Sequence, residues 1–253
     1  IMKKKINKEL SETISFLRFP IIILVVILHT YTTTRGLIDG NNSILYTHLS
    51  YIMSLTFGEM GVPMFFFISG ILFFTNFEYS TNCYINKCKS RIKTLVIPYF
   101  IWNTFIIICY WILQNIQYTK SFFNTTNLLI DKYTITDFIR AYWDNGNWDN
   151  GNGVPILQPY WYIRNLIILC IISPVIAYII KYLKWFPIIP LIIWVISKDL
   201  ALSYSSLAFF SLGGIISIHD FNIISTLKKR HRYINSIFIF SFITTYIIHF
   251  YYP

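Results

Sequence analysis

The chain has 253 residues, of which 55% are hydrophobic and 19% aromatic but only 13% charged, and its mean hydropathy is +0.53. Water-soluble domains carry about 25% charged residues, so this composition excludes an ordinary soluble domain and points to an all-α, polytopic transmembrane helix bundle. The net charge of +10 does not indicate nucleic acid, because the basic residues stand between apolar runs rather than on one amphipathic face.

Lys3, Lys4, Lys5 and Lys8 precede the first apolar run. No small-residue cleavage site follows, so the run reads as an uncleaved first helix. Apolar runs then predict seven spans: Phe16 to Tyr31, Gly61 to Phe77, Thr94 to Leu113, Trp161 to Ile180, Trp185 to Ser197, Ser203 to Ile218 and Ile234 to Tyr252. The fifth is short and carries Pro187 and Pro190. With the N-terminus cytoplasmic, the inner segments hold 15 of the 21 basic residues: Lys3, Lys4, Lys5, Lys8, Arg18, Lys87, Lys89, Arg91, Lys93, Lys181, Lys184, Lys228, Lys229, Arg230 and Arg232. That asymmetry sets the expected orientation.

The four cysteines, Cys83, Cys88, Cys109 and Cys170, follow no disulfide framework. Cys83 and Cys88 lack the second ligand pair of a zinc site, and no metal is expected. The longest connection, from Gln114 to Pro159, contains AYWDNGNWDNGNGVP and reads as turns on the outer side. Trp143 and Trp148 in it read either as parts of a surface loop or as rings that stack on a sugar.

The first run, SFLRFPIIILVVILHT, holds two ionisable side chains, Arg18 and His29. Eleven residues are about three helical turns, so an unbroken helix places both on one face, roughly 16 Å apart in rise. Ionisable groups inside a membrane helix mark reaction sites or ion paths, and a neutral imidazole serves as a general base near neutral pH. Pro20 leaves a second reading in which the helix starts there and Arg18 snorkels to headgroups. Lys87, Lys89, Arg91 and Lys93 read either as a topology signal or as a pocket for an anionic cytosolic cofactor. Glu59 is expected at the outer mouth. Trp161 and Arg164 open the fourth span, where an interfacial belt explains the aromatic residue but not the arginine.

LRFPIIILVVILH, GVPMFFFISGILFF, RIKTLVIPYFIW, WYIRNLIILCIISPVI and FFSLGGIISI, in this order, resemble the membrane acyltransferase family called acyltransferase family 3. The resemblance covers nearly the whole chain. It implies one membrane-embedded domain over residues 1–253, incomplete at its C-terminus, in the cell membrane. The implied activity moves an acyl group, usually acetyl, from cytosolic acyl-CoA to a hydroxyl of a surface or lipid-linked carbohydrate. Acyl-CoA is then a co-substrate, and no cofactor is held permanently. By the same resemblance His29 is catalytic with Arg18 as its partner, and Arg91, with Lys89 and Lys93 beside it, meets CoA. Trp161, Arg164 and Glu59 fall on the acceptor side. The expected partners are acyl-CoA, a carbohydrate and the lipid bilayer, with no nucleic acid. The rival reading is a transporter or flippase for a glycan or lipid-linked sugar, against which stands the lack of an evident inverted repeat.

Overall fold

The computed structural model describes residues 8–34, 51–123, 129–144, 153–196 and 201–251. Lys3, Lys4, Lys5, Arg35, Trp148, Lys198 and Tyr252 lie outside the described residues. Among the described residues the chain is all-helical, without a strand. Its helices are α1 (Lys8–Thr34), α2 (Gly61–Phe74), α3 (Thr81–Arg91), α4 (Ile97–Asn115), α5 (Ile135–Ala141), α6 (Trp161–Tyr182), α7 (Ile188–Ile196), α8 (Ala201–Ile218) and α9 (Ile223–Tyr251). A π-turn at Tyr51–Phe57 and a 3-10 turn at Gly58–Met60 lead into α2, and a π-turn at Ile92–Val96 joins α3 to α4.

Among the described residues four segments are long and apolar enough to cross a membrane: Lys8–His29, Ile52–Phe74, Thr81–Asn115 and Gln158–Tyr182. A fifth arises if the bent pair Tyr204–Ile218 and Ile223–Thr244, broken at 118°, acts as one span. This differs from the seven expected. The segment carrying Pro187 and Pro190 yields α7, whose nine residues rise only about 14 Å against a hydrocarbon core of about 30 Å. The sixth and seventh expected spans are joined through a sharp corner. Asp220 takes a left-handed φ of 53° there, and the Asn222 carboxamide oxygen accepts from Ser225 N at 3.1 Å to start the next helix.

The chain divides into two compact units, residues 1–77 with 175–253, and residues 78–174. In the first, Ile14 and Ile21 of α1 pack with Ile68 and Ile71 of α2 and Ile216 of α8. The opposite face of α1 carries Phe16, Phe19, Ile22 and Val26 outward, as a bilayer solvent permits. Helices α2 and α8 form the closest pair. A Cβ on Gly70 would stand 2.1 Å from the Phe210 carbonyl oxygen, and one on Gly213 2.1 Å from that of Phe67. Small residues let membrane helices approach through their backbones, and the Ser217 hydroxyl donates across the crossing to the Ile71 carbonyl at 2.8 Å.

In the second unit α4 presents one polar and apolar stripe, Tyr99, Asn103, Ile107 and Gln114, and buries it. Phe100, Ile101, Trp102, Phe105 and Ile108 point outward. Over the buried stripe folds the long connection, which the sequence reads as turns but which contains α5. The missed signal is Thr134 followed by Asp137, a capping box in which the threonine hydroxyl and the aspartate each satisfy the other's backbone N–H.

Candidate functional site

Helix α1 runs unbroken from Lys8 to Thr34 through Pro20. Proline in a membrane helix removes one hydrogen bond without ending the helix. Arg18 and His29 therefore belong to one helix. Eleven residues at about 100° each bring them back to within roughly 20° of one another, about 16 Å apart in rise. Both are exposed. Their line lies about a sixth of a turn from the packed stripe of Ile14 and Ile21, so they border the face that meets α2 rather than filling it.

The turns before α2 meet α1 beside His29. A Cβ on Gly58 would stand 2.9 Å from the Leu28 Cβ and 3.2 Å from the Leu24 carbonyl oxygen. The buried Ser54 donates its hydroxyl to the Ile27 carbonyl at 3.3 Å. Glu59, exposed and adjacent to Gly58, thus sits at the level of the helical turn that ends in His29. The structure brings His29, Glu59 and Ser54 to the same end of α1 and leaves Arg18 three turns away. Ser54 is a residue the sequence does not single out, since a serine in an apolar run carries no signal.

The basic residues of the second unit separate by face. Lys87 and Arg91 are four apart on α3, half-buried and within electrostatic reach of each other, and Arg91 is also within reach of Cys170 of α6. Lys89 lies between them in sequence and on the opposite face, exposed, and Lys93 is exposed in the π-turn. Tyr84 fixes this face of α3 on α6 by donating its hydroxyl to the Ile171 carbonyl at 2.8 Å. Lys87 belongs to the basic cluster read from the sequence as a possible pocket, but the family resemblance assigns CoA contact only to Arg91, Lys89 and Lys93; its i,i+4 spacing from Arg91 puts it on Arg91's face. Cys83 and Cys88 face different partners, the Glu78 amide and the Cys170 carbonyl. Among the described residues no cluster of three or more His, Cys, Asp or Glu is placed to hold a metal ion.

At the other end of this unit Arg164 is spent on the chain itself. Its Nη1 donates to the carbonyls of Trp143 and, at 2.6 Å, Gly153. Its Nε and Nη2 reach the Asn165 Oδ1 at 3.4 and 3.3 Å, and its carbon centre lies 5.4 Å from the centre of the Trp143 ring. Nearby, Tyr99 donates its hydroxyl to the Tyr142 carbonyl and its ring stacks on Tyr160 at 6.1 Å. Asn103 accepts from the Leu157 amide at 3.3 Å and donates to the Tyr99 carbonyl at 2.8 Å. These bonds, with Ile156 N to the Ala141 carbonyl at 2.7 Å, draw 141–143 and 153–157 together over α4. Trp161, half-buried, opens α6 next to this clasp.

Among the described residues the chain is all-helical, and several helices are long and apolar enough to cross a membrane, the first of them carrying an arginine and a histidine in register, which is the make-up of a multi-pass membrane protein. A family model described as an acyltransferase domain matches residues 12–253, and the chain belongs to that family, acyltransferase family 3. No curated protein and no solved structure matches it.

Proposed function

We propose that this multi-pass membrane acyltransferase moves an acetyl group from cytosolic acyl-CoA to a hydroxyl of a cell-surface or lipid-linked carbohydrate, acting as one domain of the cell membrane. The observation that carries the reading is the register of Arg18 and His29 on an unbroken α1, in a chain whose family match covers residues 12–253. The N-terminus is cytoplasmic in this reading. In support, Lys228 of α9 pairs with Glu9 of α1, so two of the basic segments lie at the same end of the first unit. Seven crossings then require that α8 and α9 cross separately and that the α7 segment crosses as well.

In the reaction the acceptor hydroxyl oxygen attacks the thioester carbonyl, its proton passes to the neutral imidazole of His29, and the C–S bond breaks to release CoA thiolate. A proton from the imidazolium or from solvent then restores the thiol. Arg18, with about 16 Å of rise between it and His29, acts on the donor side rather than at the same atom. Lys87 and Arg91 meet CoA phosphates, for which a guanidinium offers paired donors, while Lys89 and Lys93 add to the attraction at longer range. Glu59 and Trp161 lie on the acceptor side.

The test is transfer of labelled acetyl from acetyl-CoA by purified protein in nanodiscs, together with mass spectrometry of surface polysaccharide from cells with and without the gene. Loss of one acetyl mass without the gene, and loss of label transfer in His29→Ala, are the expected results. Uptake of unmodified sugar with no CoA release would establish transport instead.

A further inference from the structure

The connection that folds over α4 repeats Trp-Asp-Asn-Gly at 143–146 and 148–151, a pattern the acyl-transfer reading does not use. The structure describes the first tryptophan, and its placement is specific. The Trp143 amide donates to the Arg140 carbonyl at 2.9 Å, its own carbonyl accepts from Arg164, and the Arg164 guanidinium lies over its ring at 5.4 Å. Arg164 is held in turn by the Gly153 carbonyl, which a left-handed φ of 64° presents and which a glycine accommodates. The ring nevertheless remains 55% exposed.

A tryptophan that only anchors a bilayer interface needs its ring at headgroup depth and nothing more. Trp143 instead has backbone, carbonyl and one ring face fixed, as a preorganised surface requires. Beside it, Asp144 is fixed by its amide donating to the Arg140 carbonyl at 2.7 Å, and its Oδ1 is buried with no hydrogen-bond partner. Arg164 is within electrostatic reach of this carboxylate, but the Oδ1 itself accepts no hydrogen bond, which a ligand hydroxyl would supply. A flat π face next to an acceptor that lacks donors matches a pyranose ring, with its polarised C–H face and equatorial hydroxyls.

We propose that Trp143, oriented by Arg164 and flanked by Asp144, is the stacking platform for a pyranose ring of the acceptor. This rests on the reading of the acceptor as a carbohydrate. Arg164 is accordingly a positioning residue that acts through Trp143, not a group that touches the sugar.

The experiment uses full-length protein in nanodiscs, acetyl-CoA, and alkali-deacylated fragments of the source cell's surface polysaccharide. Trp143→Ala is expected to raise the acceptor KM about tenfold, the equivalent of one lost stacking contact, with the acetyl-CoA KM unchanged. Trp143→Phe keeps a ring and is expected to fall between the two. Arg164→Met is expected to raise the same constant, and the double variant to add nothing further, because the arginine works through the ring. An unchanged acceptor KM in Trp143→Ala, or a lowered melting temperature with unaltered kinetics, overturns the platform and makes Trp143 an interfacial anchor. If the wild type transfers no acetyl, saturation-transfer NMR with the same fragments separates the two ideas. Trp143-dependent binding keeps the platform while the reaction reading falls, and absence of binding removes the platform too.

Discussion

An imidazole and a guanidinium at the two ends of the apolar run Phe19–Leu28 are costly, and the cost is specific to each residue. If His29 takes the proton of the attacking hydroxyl, His29→Ala lowers label transfer by about 10²–10⁴, the range of a positioned general base, while expression and melting temperature stay near wild type because the residue is exposed. The donor side yields a finer contrast. Lys87→Gln and Arg91→Gln are each expected to raise the acetyl-CoA KM about tenfold, an effect that weakens as salt screens the phosphates. Lys89→Gln, on the opposite face of α3, is expected to change that KM by less than about threefold. Equal effects at 87, 89 and 91 would reduce the cluster to a topology signal.

Register on α1 is a property of the element, and it was only half legible in the sequence. The spacing of Arg18 and His29 announces a shared face, but Pro20 leaves open whether one helix carries both, because proline rules learned in water fail where neighbouring helices and lipid replace solvent. The structure closes that question with a continuous helix. Inserting one alanine between Val25 and Val26 would turn His29 by about 100° relative to Arg18 and is expected to abolish transfer. Pro20→Ala leaves the register intact and is expected to retain activity. The α2–α8 crossing behaves differently. Gly70 and Gly213 are legible as small residues in apolar runs, but their reciprocal close approach, in which an added Cβ on either would stand 2.1 Å from a carbonyl oxygen of the other helix, is not, since it depends on partners more than a hundred positions away. Either glycine replaced by alanine must push the helices apart, at a cost of at least about 1–3 kcal/mol, read as a lower unfolding midpoint in detergent. The α5 helix shows the converse: its capping box was in the sequence, outweighed by the Asn, Gly and Asp content that follows it.

At the scale of the whole molecule, composition made the membrane class legible, whereas hydropathy counts apolar runs without the geometry between them, so the four or five candidate spans among the described residues leave the seven crossings as a proposal. The 118° bend between α8 and α9 falls at Asp220, ahead of the basic stretch Lys228–Arg232 that separates the two apolar runs, and the short α7 carries Pro190 and follows Pro187. Sidedness is a separate quantity, set by charge. The Glu9–Lys228 pair is exposed and adds at most about 1 kcal/mol to stability, yet it ties the start of α1 to the basic turn Lys228–Arg232. If basic residues mark the cytoplasm, both segments and α3 face inward and α5 faces outward. Single cysteines introduced at Glu12, Asn86 and Lys229 in a variant with Cys83, Cys88, Cys109 and Cys170 replaced by serine are then expected to resist a membrane-impermeant maleimide in intact cells and to react after lysis. A cysteine at Thr136 is expected to react in both. Labelling of position 229 from outside, with position 12 protected, would place α9 on the wrong side of the membrane for this topology and would remove the requirement that α8 and α9 cross separately.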